Sequence, residues 1–259
     1  MNEVYRLSRY LFLFLLSALF LGLVTVNHAK ILFEDDFSSG KLDKYDIAWG
    51  DKKPKEIAKF VKIVKSDPPK HGPDAFSLQE EPHAGNLVAM IKDVVFEDGF
   101  IEMLWIDAGL PEDADGPLFF RGDLGQKEVS KIYDHSILVE LDTDTGLHFD
   151  FLNGGGVCEN CKKPNIKSTP DWTWIKVKAE GKKLSLKAWV DGEKEPNWQI
   201  EAENDQYKKG AVGFRAWSGI AEIAYIKITD LDGDAGGKEQ SVESDGKFTT
   251  VWGGIKRSY

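Results

Sequence analysis

The chain has 259 residues, with 43 Asp and Glu against 33 Lys and Arg, a net charge of −10, and 42% hydrophobic residues. A surface this acidic repels phosphate backbones and anionic headgroups, which excludes nucleic-acid binding and favours a neutral or cationic partner. The length suits a single all-β domain with a sizeable core behind a short leader.

Arg6 and Arg9 precede an apolar run over 11–26, which at 16 residues falls short of the roughly 20 that a helix needs to cross a bilayer. Positive residues followed by such a run predict an export signal over 1–29, so the mature form is expected to be secreted, periplasmic or at the cell surface and not membrane-spanning. Cleavage after Ala29 leaves a small residue at the last position, although Asn27 departs from the usual small-x-small pattern. The domain is then expected over 30–235. Residues 236–259 open on small polar residues and read as a linker and short C-terminal tail.

From Phe33 onward the text alternates with period two between Gly, Asp, Asn and Pro punctuation, which predicts a two-sheet antiparallel β-sandwich. Strands are expected at 87–91, 100–107, 118–121, 136–142, 147–152, 174–179, 184–190, 211–216 and 222–229. Turn-like separators such as Asp191-Gly join neighbours as hairpins. The segment 55–65 fits a helix or a strand. Cys158 and Cys161 are the only cysteines. Zinc needs four ligands and a redox pair opens a helix, whereas this pair lies in Gly-rich and Pro-rich text. A small loop-pinning disulfide is expected, contributing little stability because its ring is short.

On a strand, alternate residues share a face. Val212, Phe214 and Ala216 are core-like, which leaves Arg215 and Trp217 outside; Leu184, Leu186 and Ala188 leave Lys187 and Trp189; Ile175 and Val177 leave Trp174 and Lys176. Trp beside Lys or Arg is what a glycan groove requires, with aromatic faces stacking on sugar C–H surfaces and charged groups taking hydroxyls. The same parity places Glu140, Asp142 and Asp144 with His148 and Asp150, opposite a core of Ile137, Val139, Leu147 and Phe149. The two-residue spacing of Glu140 and Asp142 separates their Cα atoms by about 6.6 Å and makes them a candidate glycosidase pair. Arg121 and Asp123 share a parity and are expected in the same groove, with the Arg121 fork suited to vicinal hydroxyls or an acidic sugar.

Several stretches, taken in order, resemble the LamG-like, concanavalin A-like jelly-roll superfamily, in particular its 3-keto-disaccharide hydrolase-like branch of secreted bacterial proteins. They are Phe33-Glu-Asp-Asp-Phe-Ser-Ser-Gly, Phe96-Glu-Asp-Gly-Phe-Ile-Glu, Gly116-Pro-Leu-Phe-Phe-Arg, Trp174-Ile-Lys-Val-Lys-Ala-Glu-Gly, Ala188-Trp-Val-Asp-Gly-Glu and Gly210-Ala-Val-Gly-Phe-Arg-Ala, spanning about 31–233. The chain has Ala114-Asp-Gly-Pro where that branch has Asn-Ser-Gly. The resemblance implies two curved sheets, a concave face for sugar, and a structural Ca2+ tying the first strand to the last, here with Asp36 and Asp230 as ligands. It also aligns Glu140 and Asp142 with the Glu-x-Asp-x-Glu strand of β-glucanases, whose last Glu falls on Asp144. The expected function is carbohydrate binding through Arg121, Asp123, His148, Trp174, Trp189, Arg215 and Trp217. The alternatives are hydrolysis of (3-keto-)disaccharides or β-glucans by Glu140 and Asp142, and a cell-surface adhesion module.

Overall fold

The computed structural model describes residues 30–50, 52–66, 74–79, 86–108, 117–153, 156–217 and 219–232. The expected export signal over 1–29 and the whole of the expected linker and tail over 236–259 lie outside them. Among the described residues no helix is long and apolar enough to cross a membrane.

Alternating sequence yields two antiparallel layers. One sheet has seven strands: β2 (Tyr45–Trp49), β5 (Leu87–Ile91), β7 (Leu118–Gly122), β8 (Ile137–Leu141), β9 (Leu147–Phe151), β10 (Gly156–Lys163) and β14 (Ala211–Ala216), in the order β10-β9-β8-β7-β14-β5-β2. The other has eight: β1 (Ile31–Asp35), β3 (Val61–Lys65), β4 (Asp74–Gln79), β6 (Gly99–Asp107), β11 (Thr173–Glu180), β12 (Lys183–Val190), β13 (Ile200–Glu203) and β15 (Ile220–Thr229). Its order is β13-β12-β11-β6-β15-β4-β3, and β1 pairs with β15. Two short helices, α1 (Pro54–Ile57) and α2 (Val129–Asp134), complete the described elements.

The expected hairpins hold for β8 with β9 and β11 with β12, but the chain also passes repeatedly between layers. Strands β4, β5, β6 and β7 alternate between the sheets, and β1 meets β15 with Ile31 opposite Thr229. This is the jelly-roll pattern, in which strands distant in sequence become neighbours. The interior parity of both sheets forms one core that includes Met103, Trp105, Leu118, Val139, Phe149, Ile175, Leu186, Val212, Phe214 and Ile226. Within it the Tyr45, Phe76 and Phe214 rings lie 5.0–5.8 Å apart, joining both layers through aromatic contact.

Two local expectations resolve differently. The ambiguous segment 55–65 divides into the single turn α1 and strand β3, because Pro54 at the start fixes a helical φ while the β-branched residues after Phe60 pair with β4. Cys158 and Cys161 do form a disulfide, but within strand β10 and not in a loop. Val157 pairs with Asp150 and Lys162 with His148, so residues 158–161 bulge opposite Phe149. The bridge closes that bulge, and the pairing then places Lys162 opposite His148.

Arg121 departs from its expected place in a groove. Its backbone is left-handed, with φ 53°, so strand parity fails there and the side chain is fully buried. The guanidinium donates to the carbonyls of Glu97 (Nε, 3.0 Å) and Tyr207 (Nη1, 3.2 Å) and pairs with Asp98 at 3.1 Å. Desolvation lowers its pKa against the pull of Asp98 and Glu97. It fastens the β6 approach and the 204–210 segment to the end of β7. Arg121→Met, which keeps the stem and deletes the fork, should cost about 1–3 kcal/mol in denaturant unfolding by leaving the Glu97 and Tyr207 carbonyls without their donor; a loss under about 0.5 kcal/mol would contradict this anchoring.

Candidate functional site

The outward parity of the seven-stranded sheet carries two cross-strand rows. One is Lys162, His148 and Glu140, continued across β7 by Arg215, Val88 and Ala48. The other is Asp150, Leu138, Phe119, Gly213 and Met90. Helix α2 lies over the apolar part: Tyr133 meets the edge of Phe119 at 5.5 Å in a cluster with Val88 and Leu138. The cover leaves a polar site beside it.

Arg215 is its centre. Nη1 lies 2.6 Å from Glu140 Oε1, Nε donates to Asn86 Oδ1 at 2.8 Å, and the guanidinium carbon sits 5.6 Å from the Trp217 ring centre. Asn86 Oδ1 also accepts from the Tyr133 hydroxyl at 3.2 Å. His148 Nδ1 faces the Gly146 carbonyl and Nε2 faces Glu140 Oε2, each at 2.9 Å. With acceptors at both nitrogens, the ring is held as the imidazolium. Nε2 is also 3.6 Å from Asp150 Oδ1, so the Glu140 and Asp150 oxygens lie at most about 6.5 Å apart.

Burial alone would raise the Glu140 carboxyl, but the His148 hydrogen bond and the Arg215 charge outweigh it and hold the group below the usual range. His148 is raised: burial opposes its charge, and the Glu140 and Gly146 hydrogen bonds overcome that. Asp150 goes the other way. Burial and the neighbouring Glu140 charge push it up to about 6, with His148, Arg215 and Lys162 only partly offsetting them. Its Oδ1 is buried without a hydrogen-bond partner. Two carboxyl groups thus share one imidazole yet prefer opposite protonation states over a mildly acidic range.

Of the sequence-predicted residues, Glu140, His148, Arg215 and Trp217 come together here with Asp142 at their margin, and the others lie elsewhere. Asp142 lies at the end of β8, where Oδ1 accepts from the backbone N–H groups of Asp144, Thr145 and Gly146 and Oδ2 from the Thr145 hydroxyl. It caps the hairpin turn while keeping an oxygen within 4.8 Å of Glu140 and His148, and Asp150 approaches the same imidazole from β9. Asp123 accepts from Gly125 N–H and Gln126 in a turn of its own, which lowers its pKa. Trp174 and Trp189 face each other across β11 and β12, stacked at 6.1 Å and 17°, on the outside of the opposite sheet. The single expected groove is therefore two separate surfaces. Asn86 and Tyr133 had no signal in the sequence; Asp150 had one, its shared parity with His148.

The calcium expectation does not fit Asp36 and Asp230 as a pair. Asp230 Oδ1 accepts from Lys30 N–H at one end of β1, while Asp36 follows its other end, where Asp35 is opposite Ile226, four residues or about 13 Å from Asp230 at strand rise. Asp36 instead accepts from Ser38, and neighbouring Asp35 is occupied by Tyr45 and Lys44. Ligand atoms of Glu140, Asp142 and His148 do lie within 4.8 Å of one another. That trio does not suit calcium, which takes oxygen ligands: one member is an imidazole, Asp142 is filled by its turn, and Arg215 already supplies the positive charge.

No protein-family model matches the chain, and no curated protein does. Its fold, in contrast, is similar to solved structures. One, from work on endo-acting O-glycanases that prominent members of the human gut microbiota express to initiate mucin breakdown, is 15% identical with a TM-score of 0.53 and covers 78% of this chain and 100% of that one. Another is a xylan β-1,4-xylosidase from Bacillus halodurans C-125, at 13% identity and TM-score 0.53, covering 76% of this chain and 39% of that one. A third is a Bacillus subtilis protein with a galectin-like fold, at 13% and 0.50, covering 78% and 97%. At such identities the likeness speaks for the fold alone: the chain is a two-sheet antiparallel jelly-roll sandwich.

Proposed function

We propose that this protein engages carbohydrate outside the cytoplasm through the outer face of its seven-stranded sheet. The observation that carries the reading is the Arg215–Glu140–His148 network beside the Asp150 carboxyl and the half-buried Trp217 ring. Such a network holds polar groups rigid without solvent, and an adjacent indole offers a stacking face for a sugar ring. The O-glycanase and xylosidase neighbours support the ligand class. The export signal read over 1–29 supports the compartment.

The same site supports a second reading, glycosidic-bond hydrolysis, favoured by the opposed protonation preferences of Glu140 and Asp150. Protonated Asp150 would give its proton to the leaving glycosidic oxygen. Ionised Glu140 would either attack the anomeric carbon or activate a water, and the spacing admits the close, retaining arrangement. His148 and Arg215 keep Glu140 ionised in either case.

A glycan array read with reducing-sugar release from 3-keto-disaccharides, ordinary disaccharides and β-glucans separates the readings. Trp217→Ala should weaken glycan binding about tenfold, the loss of one stacked ring. Glu140→Gln should abolish turnover if bonds are cleaved; no release above blank from any substrate eliminates the hydrolase, and no binder on the array eliminates both. Turnover, where found, should be confined to the range between the lowered pKa of Glu140 and about 6, where Glu140 is ionised and Asp150 keeps its proton. Chelation with EDTA should change neither binding nor melting temperature.

Asp150 also makes stability depend on pH. Its folded pKa of about 6 stands above the ordinary aspartate value of 3.8, so the folded state binds this proton more tightly, and the benefit is lost as pH rises from about 4 through about 6. Asp150→Asn should therefore raise the melting temperature at pH 7–8 and leave it unchanged near pH 3. A gain equal at both pH values would argue against a perturbed carboxyl.

A further inference from the structure

Strand β13 is short. It pairs with β12 only as far as Leu186 opposite Ile200, so the last residues of β12 have no strand beside them on that edge. The Gln199 side-chain amide takes over the ladder there, accepting from Ala188 N–H at 2.8 Å and donating to Ala188 C=O at 3.1 Å. Where the sheet runs out, a cleft of about 420 Å³ opens between the 165–169 and 193–199 segments. Its floor is apolar, with Leu141, Ala188 and Val190, and its wall is Trp189. Trp189 has one face against Trp174, at 6.1 Å and 17°, which holds the indole rigid while it lines the cleft.

The rim reverses the charge of the protein. Lys167 and Lys194 border the cleft against the single acid Glu193, with Asn165 beside them, and all four are exposed. The lysines nearby on the sheet face are spent: Lys187 pairs with Glu195 at 2.7 Å and Lys176 with Glu102 at 2.6 Å. Lys167 and Lys194 are thus local cations on a chain of net charge −10. An indole wall, an amide and two ammonium groups at one mouth match a sugar ring that carries a carboxylate: the ring lies on Trp189 and the carboxylate meets the lysines.

We propose that this cleft is a second saccharide site, selective for carboxylated sugars of the uronate or sialate class. Although Leu141 of β8 contributes to its floor, the cleft has none of Arg215, Glu140, His148, Asp150 or Trp217 in its lining and stands independently of the site they form on the seven-stranded sheet.

The test is calorimetric titration of a galacturonate trimer, a sialylated trisaccharide and a neutral galactose trimer. The acidic probes, one or both, should bind and the neutral one should not, and the binding should weaken with added salt. Trp189→Ala should weaken it about tenfold, and the double variant Lys167→Gln, Lys194→Gln should abolish the preference for acid. Trp217→Ala should leave it unchanged. Because Trp189→Ala also disturbs the packing of Trp174, the indole N–H resonances of the wild-type protein give a second readout: the acidic probe should shift Trp189 and leave Trp217 in place. Absence of binding by either acidic probe at millimolar concentration, equal binding of the neutral one, or a response confined to Trp217 overturns the proposal.

Discussion

The ion pair between Arg215 and Glu140 joins strands that are not neighbours, since β7 lies between β14 and β8. Both side chains are nearly sealed, at 6% and 12% exposure, and isolated charges in that position would cost several kcal/mol each. They persist because the charges alternate along the row: Arg215 meets Glu140, Glu140 meets His148, and His148 approaches Asp150. Asn86 and the Gly146 carbonyl fill remaining positions on Arg215 and His148. The network therefore behaves as one unit, and the protonation of each member depends on its neighbours. Asp150, at the end of the row, carries the leftover cost as a raised pKa.

That arrangement is possible because the interior parity of both sheets is committed to the common core. Val139, Phe149 and Phe214 point inward beside Glu140, His148 or Asp150, and Arg215, and they hold the backbone from which the polar row projects. The disulfide contributes at the edge, where the four-residue bulge of β10 brings Lys162 back into line with His148. Helix α2 covers the apolar half of the same face, so its polar half is bounded by Tyr133 and Asn86.

The opposite sheet presents different chemistry. Its outer aromatic residues, Trp174, Trp189 and Tyr225, pack on one another at 6.0–6.1 Å, and its lysines are drawn into pairs with Glu102 and Glu195. At the β12 edge, where β13 stops, an aromatic wall meets two lysines with Glu193 beside them. The two faces thus offer a buried charge relay in one case and an open, positively rimmed cleft in the other.

Period-two alternation determined the fold class and most core residues, because burying one parity is the only way such a chain shields its apolar side chains: Val212, Phe214, Leu184, Ile175 and Val139 are all interior. It likewise determined that Glu140, His148 and Asp150 share a face, since those strands form a local hairpin. Which sheet each strand joins was decided by tertiary structure, because the crossings that separate Trp174 and Trp189 from Arg215 and Trp217 depend on pairing across more than a hundred residues, which leaves no periodic mark. The same holds for Arg121 and Asp142. A left-handed φ turned one away from its face, a turn of backbone donors captured the other, and residue type and parity encode neither.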